Sequence, residues 1–216
     1  MEFSKTDTAV LLTDVQNDFL SEHGATWQLV GDSVTENKTV ENIERLFQAA
    51  KDNGFEVFIS PHYYYPTDHG WQFGGTIENV MHEIHMFDRS GALSLEGFSG
   101  SGADWLEVYR PYIEDGKTIV CSPHKVYGPE NNDVALQLRK RGIGKVILGG
   151  MSANLCVEAH LRELLEQGFQ VAVVKDATAG ARHPELGDGY EAALINYGYM
   201  ANAVLTTDAA VKAMND

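Results

Sequence analysis

The stretch KVILGGMSANLCVEAHLRELLEQGF (145–169) decides how the rest of the chain is read. It opens on a short apolar run, passes through Gly149-Gly150, and continues into LCVEAHLRELLEQG (155–168). The second part mixes charged and apolar residues at helical spacing and ends on Gly168, a residue that stops helices. An apolar strand followed at once by an amphipathic helix is half of a strand–helix–strand unit. Strands of such units are buried on both faces, which is why they carry no polar alternation.

The same alternation extends in both directions. TAVLLTD (8–14), FEVFIS (55–60), KTIVCS (117–122), FQVAVVKD (169–176) and ANAVLTT (201–207) read as further strands. Helices fit between them at 34–54, 133–142 and 187–198; in the first, Val40, Ile43, Phe47 and Ala50 recur every three to four residues. The expectation is an α/β fold: a three-layer, Rossmann-like arrangement with a mostly parallel six-stranded sheet and helices on both faces. Residues 1–216 are expected to form a single domain. The segment at about 61–112 (PHYYYPTDHGWQFGG onward) breaks the rhythm, and an irregular insertion of this length is expected to contribute a pocket wall or an oligomer contact.

Composition removes several classes of partner. The chain has 16 basic and 31 acidic residues, a formal net charge of -15, so its surface repels phosphate backbones and anionic lipid. No nucleic-acid or membrane partner is expected. No apolar run approaches the roughly 20 residues needed to span a bilayer, and the N-terminal residues lack the pattern of a secretory leader. A cytoplasmic location is the expectation. Two cysteines, Cys121 and Cys156, do not make a disulfide framework.

With so few cysteines, position matters. Cys156 falls at the carboxyl end of a strand and opens the following helix, where ligands bind in parallel α/β sheets. There the unpaired N–H groups and the positive end of the helix dipole favour a thiolate, and could equally hold an oxyanion. The competing reading is a small core hydrophobe. Two other strand ends point to the same rim: Thr13-Asp14 closes the first strand, and KTIVCS leads into Pro123-His124-Lys125. A carboxylate, a cation and a thiol gathered there have the makings of base, orienter and nucleophile. Taken singly, Asp14 could cap a turn and Lys125 could be a solvated loop charge.

These segments, LLTDVQNDF (11–19), PHKVYG (123–128), VILGGMSANLCVEAHLRELLEQGF (146–169) and VAVVKDATAG (171–180), resemble the isochorismatase-like cysteine hydrolases, a family that includes nicotinamidases and other small amidases. The resemblance runs in order along most of the chain. It implies an Asp14–Lys125–Cys156 triad, a cis peptide between Met151 and Ser152, and an oxyanion hole formed by the N–H groups of Ser152 and Cys156. It implies hydrolysis of a small-molecule amide or related C–N bond through a thioester. It also suggests a homo-oligomer and an aromatic substrate-site residue near Asp14, which would be Phe19; Tyr127, close after the second motif, and Trp71, in the insertion, are further substrate-binding candidates by position.

The resemblance thins after the second strand. Nicotinamidases carry an Asp-x-His metal pair there, whereas this chain reads Ser60-Pro61-His62, with His69 further on. No metal and no cofactor are therefore expected. His82 and His85 would share a helical face, and Glu158 would brace the loop beside Cys156. Two other readings stay open: cleavage of an ester or vinyl ether, as in isochorismatase itself, and a non-catalytic binding protein on this fold.

Overall fold

A computed structural model describes residues 1–216. The first strand is β1 (Thr8–Thr13), followed by the short helix α1 (Asn17–Leu20), then α2 (Trp27–Asn37), α3 (Thr39–Asn53) and β2 (Glu56–Ser60). The irregular segment holds one helix of two turns, α4 (Thr76–Glu83), and closes on α5 (Arg110–Ile113). The rest alternates: β3 (Ile119–Val120), α6 (Val134–Lys140), β4 (Lys145–Met151), a π-helical turn (Ala153–Val157), α7 (Glu158–Glu166) and β5 (Gln170–Ala179). A two-stranded ribbon of β6 (Arg182–His183) and β7 (Gly187–Asp188) precedes α8 (Gly189–Met200), β8 (Ala203–Leu205) and α9 (Thr207–Asn215).

The main sheet is parallel throughout, in the order β3-β2-β1-β4-β5-β8. The direction of strand addition reverses between β1 and β4, and that is where a crevice opens beyond the carboxyl ends of an open parallel sheet. Successive residues of a strand face opposite sides. Val10, Leu12 and Ile147 therefore enter a core with α3 residues such as Ile43 and Phe47, whereas Ala9, Leu11, Val146 and Leu148 enter a second core with Leu161 and Leu164 of α7. Each fully buried leucine or isoleucine is worth roughly 1.5–3 kcal/mol against exposure, so both faces of the sheet are heavily stabilised.

Several boundaries differ from the sequence reading, among them the last strand, which covers Ala203–Leu205 and gives way to α9. The expected helix at 34–54 is two helices, because Lys38 takes a left-handed conformation (φ 53°) between α2 and α3. The strand expected at 117–122 pairs only over Ile119–Val120. No helix is long and apolar enough to cross a membrane.

Candidate active site at the sheet switch point

Four strand ends meet at the reversal. Asp14 follows β1 and sits in the left-handed region (φ 50°), an uncommon conformation for a non-glycine residue and one that clusters at functional sites. Cys156 lies in the turn after β4. His62 follows β2, His124 follows β3, and the two form an isolated parallel bridge that carries the sheet pairing two residues further. All four side chains are buried, and each brings one polar atom within 4.8 Å of the others.

Gly150 permits this approach. A Cβ at this position would lie 2.1 Å from the carbonyl oxygen of Thr13, and the residue adopts φ 109°, which side chains disfavour. The Met151–Ser152 peptide is cis, as the resemblance implied. Thr13 Oγ1 donates to the Met151 carbonyl (2.8 Å), tying the ends of β1 and β4.

Burial pushes the Cys156 thiol well above its ordinary range, and the nearby Asp14 carboxylate acts in the same direction. The backbone N–H groups of Ser152 and Cys156 oppose this by donating to the sulfur. The resting group is thus a thiol beside a carboxylate, with two backbone N–H groups directed at the sulfur. Cys156 Sγ also donates to the Val126 carbonyl (3.2 Å).

Lys125 follows His124 directly and has contacts of its own. Its ammonium donates to the Tyr63 carbonyl (2.7 Å), forms an ion pair with Asp68, and lies 4.2 Å from the centre of the Tyr65 ring. The aspartate in this pair, Asp68, is supplied by the insertion. His124 Nε2 hydrogen-bonds Asp14 Oδ1 at 2.7 Å, with both side chains fully buried. The signal in the sequence was present as adjacent cations, His124-Lys125, but nothing local says which of them turns inward.

The aromatic residues divide between two hollows. Phe19 lines a small recess of about 50 Å³ together with Val30, Met81, Ser152 and Leu155. Trp71 and Tyr127 line an open groove of about 600 Å³ with Glu78, Lys125 and Glu130. The first is almost wholly apolar; the second carries charge of both signs. Ser152 and Leu155 of the recess are chain neighbours of Cys156, and Val126 of the groove accepts from its sulfur.

The histidines considered for a metal separate likewise. His62 belongs to the cluster at Asp14 and Cys156, whereas His69 lies with His85 and Asp88, donating or accepting at 2.7 Å to the same carboxylate that His85 contacts at 2.8 Å. His82 and His85 do not share a helical face, because α4 ends at Glu83 and His85 takes φ 55°. Glu158 does brace its surroundings, accepting from Arg162 (2.8 Å) and Asn196 (3.1 Å) and so linking α7 to α8. Cys121, by contrast, has no part in the site; burial pushes its thiol up to about 12, with Asp133 adding to the effect.

The motif around Asp14 also builds the surrounding wall. Gln16 Nε2 donates to the carbonyls of His62 (2.9 Å) and Ala103 (2.8 Å). Asp18 accepts from the N–H groups of Phe87 (2.6 Å) and Ala25 (3.1 Å).

Against known proteins, the isochorismatase domain model matches residues 8–209. The chain belongs to the isochorismatase family. This isochorismatase-family hydrolase is 24% identical over 204 residues to the uncharacterised family protein YddQ of Bacillus subtilis, covering 93% of this chain and 94% of that one. It is 27% identical over 212 residues to the ureidoacrylate amidohydrolase RutB of Stutzerimonas stutzeri, covering 94% and 81%. Among solved structures, a cysteine hydrolase from Pseudomonas syringae superposes with a TM-score of 0.80 at 20% identity, covering 100% of this chain and 95% of that one. The N-carbamoylsarcosine amidase of Thermoplasma acidophilum gives 0.67 at 20% identity, covering 94% and 97%.

Proposed function

We propose that this hydrolase cleaves a small-molecule amide or related C–N bond through a thioester on Cys156, with Asp14 as the base. The observation that carries the reading is the meeting of the Cys156 thiol with the Asp14 carboxylate beneath the N–H groups of Ser152 and Cys156. Asp14 Oδ2 is buried and has no hydrogen-bond partner, which leaves it free to receive a proton. As the sulfur attacks the carbonyl carbon, the thiol proton passes to Asp14 and the carbonyl oxygen takes up charge against the two N–H groups. Asp14 then returns the proton to the departing nitrogen. A water molecule, deprotonated by the same carboxylate, releases the acid and restores the thiol.

Relatives named amidohydrolase and amidase favour C–N cleavage over an ester or a vinyl ether. Phe19 in the apolar recess, and Trp71 and Tyr127 in the charged groove, are assigned to substrate binding on either side of the sulfur. The reading includes no resident metal or cofactor. It also includes a homo-oligomer in the cytoplasm: Phe73 and Leu95 of the insertion are largely exposed, as expected of a subunit contact. Sedimentation of the intact chain tests that part.

The experiment for the reaction is a panel of small primary amides and ureido acids, assayed for ammonia release, with intact-mass detection of the acyl-enzyme. Turnover accompanied by an acyl adduct on Cys156 supports the reading. Turnover of esters alone sinks the C–N assignment, and binding without turnover of any member moves the non-catalytic reading ahead.

A further inference from the structure

We propose that His69, His85 and Asp88 form a binding site for a divalent transition cation of the zinc type, set in the insertion and separate from the centre at Cys156. One ligand atom from each residue lies within 4.8 Å of the others. Asp88 joins the two imidazoles: its Oδ1 lies 2.7 Å from His69 Nε2 and its Oδ2 lies 2.8 Å from His85 Nδ1. Two imidazole nitrogens and a carboxylate oxygen suit zinc, cobalt or nickel and serve magnesium or calcium poorly. None of the three side chains is buried, so a cation can enter from solvent.

The backbone is bent to bring these groups together. His85 and Phe87 both take left-handed conformations, φ 55° and φ 59°, where a plain turn would carry glycine. Such conformations persist only where the surroundings enforce them. Here the Met86 N–H donates to the Met81 carbonyl (2.9 Å), the Phe87 N–H to Asp18 (2.6 Å) and the Arg89 N–H to the Tyr64 carbonyl (2.9 Å). Asp88 itself is held in a parallel bridge with Tyr64. His69 comes from a separate turn, Asp68–Gly70, which is tied down where Asp68 accepts from the Tyr65 N–H (2.8 Å).

Beside them, His82 of α4 lacks partners. Its ring packs on that of His69 with centres 4.5 Å apart, yet both of its nitrogens are buried without a hydrogen bond. Leaving a buried donor and acceptor unpaired is costly. A cation with three protein ligands keeps a fourth position, for water or for His82 itself, and either would satisfy that ring.

The metal position of nicotinamidases is a different place, and its donors are missing here. Ser60 stands where the carboxylate is needed, and its hydroxyl is engaged by His160 (2.8 Å) and Asn132 (2.9 Å). His62 spends Nε2 on the Val126 N–H (3.1 Å). A cation at His69, His85 and Asp88 instead clamps the turn that leads to Trp71 onto the segment after α4, and so stiffens one wall of the charged groove. It takes no part in the cysteine chemistry, and it binds whether or not Cys156 is the nucleophile.

The test titrates zinc and cobalt(II) salts into the chelator-treated full chain, read by calorimetry, melting temperature and visible absorption. The wild type is expected to take up one equivalent of zinc and to melt higher when loaded. Loss of an outer-shell partner alone weakens metal sites by about 10–100-fold, so His69→Gln and His85→Asn should each weaken binding by about tenfold or more. Asparagine tolerates the left-handed backbone at position 85, and His85 is exposed, so that variant keeps its fold. Cys156→Ser should leave the zinc affinity unchanged, and the cobalt(II) spectrum of the wild type should lack an intense sulfur-to-metal band. Failure of the wild type to bind zinc overturns the proposal, as does binding undiminished in both histidine variants. Binding lost in Cys156→Ser, with a sulfur band in the wild type, also overturns it and puts the cation at the buried quartet of Asp14, His62, His124 and Cys156.

Discussion

The turn after β4 and the segment between β2 and α5 both border Cys156, yet they are built by different means. The first hangs from a continuous parallel ladder, β1 against β4 and β4 against β5, whose residues alternate into two apolar cores. The second contains one two-turn helix and is held largely by side chains that capture backbone groups: Gln16 on His62 and Ala103, Asp18 on Phe87, and Asp104 on Gly100 and Trp105. A ladder places catalytic groups by repetition. A set of single hooks places a pocket wall, and each hook can fail alone.

Breaking the ladder side should have the largest consequence. Cys156→Ala is expected to abolish turnover of any amide found in the panel, and Asp14→Asn to lower it by about 10²–10⁴ through loss of the base. Asp14→Asn has a second signature of opposite sense. The carboxylate raises the Cys156 pKa, so its removal lowers that pKa and increases the thiolate fraction at a fixed alkaline pH. Absorbance near 240 nm as a function of pH reads this directly; an unchanged titration would mean that the two groups are not coupled.

On the hook side, Asp18→Ala should destabilise the protein by about 1–3 kcal/mol, since it leaves the buried Phe87 N–H without an acceptor. Hydrogen exchange should localise the loss to the insertion and spare β1 and β4; uniform deprotection would erase the distinction between the two regions. A metal chelator should leave Cys156 reactivity unchanged. Loss of reactivity on chelation, regained with zinc, would make the Asp14–His62–His124–Cys156 quartet a metal centre instead.

The smallest effect concerns the other cysteine. Folding raises the Cys121 thiol to about 12 from its ordinary value of 9.0, so its contribution to stability is intact below the unfolded value and is lost as pH rises towards the folded one. Cys121→Val removes that source of alkaline decline. Melting temperatures between pH 8 and 11 should therefore fall less steeply in the variant, and equal slopes would sink the assignment.

The ladder was legible in the sequence because burial on both faces writes itself as unbroken apolar runs, and KVILGG needed no partner to be recognised as a strand. The resemblance added the cis peptide, which the structure contains. The hooks were not legible. Asp68 meets Lys125 across 57 positions and His124 meets Asp14 across 110, pairings that no local pattern announces. The break at Lys38 escaped notice for the same reason: the apolar spacing continues through it. The closing helix α9 was missed because the last expected strand was carried through Thr206-Thr207, although the Thr206 hydroxyl accepts from the Ala209 N–H as a helix cap and Asp176 anchors Thr207 from β5.

Gly150 lends the ladder one further property. Opposite Thr13 in the register of β1 and β4, it has no room for even a methyl group. The separation between acid and thiol is thus gauged by a missing side chain, opposite the residue that precedes Asp14 and on the strand that leads to Cys156. A single added carbon there would act as a wedge, parting the two strand tips while leaving every chemical group of the centre in place.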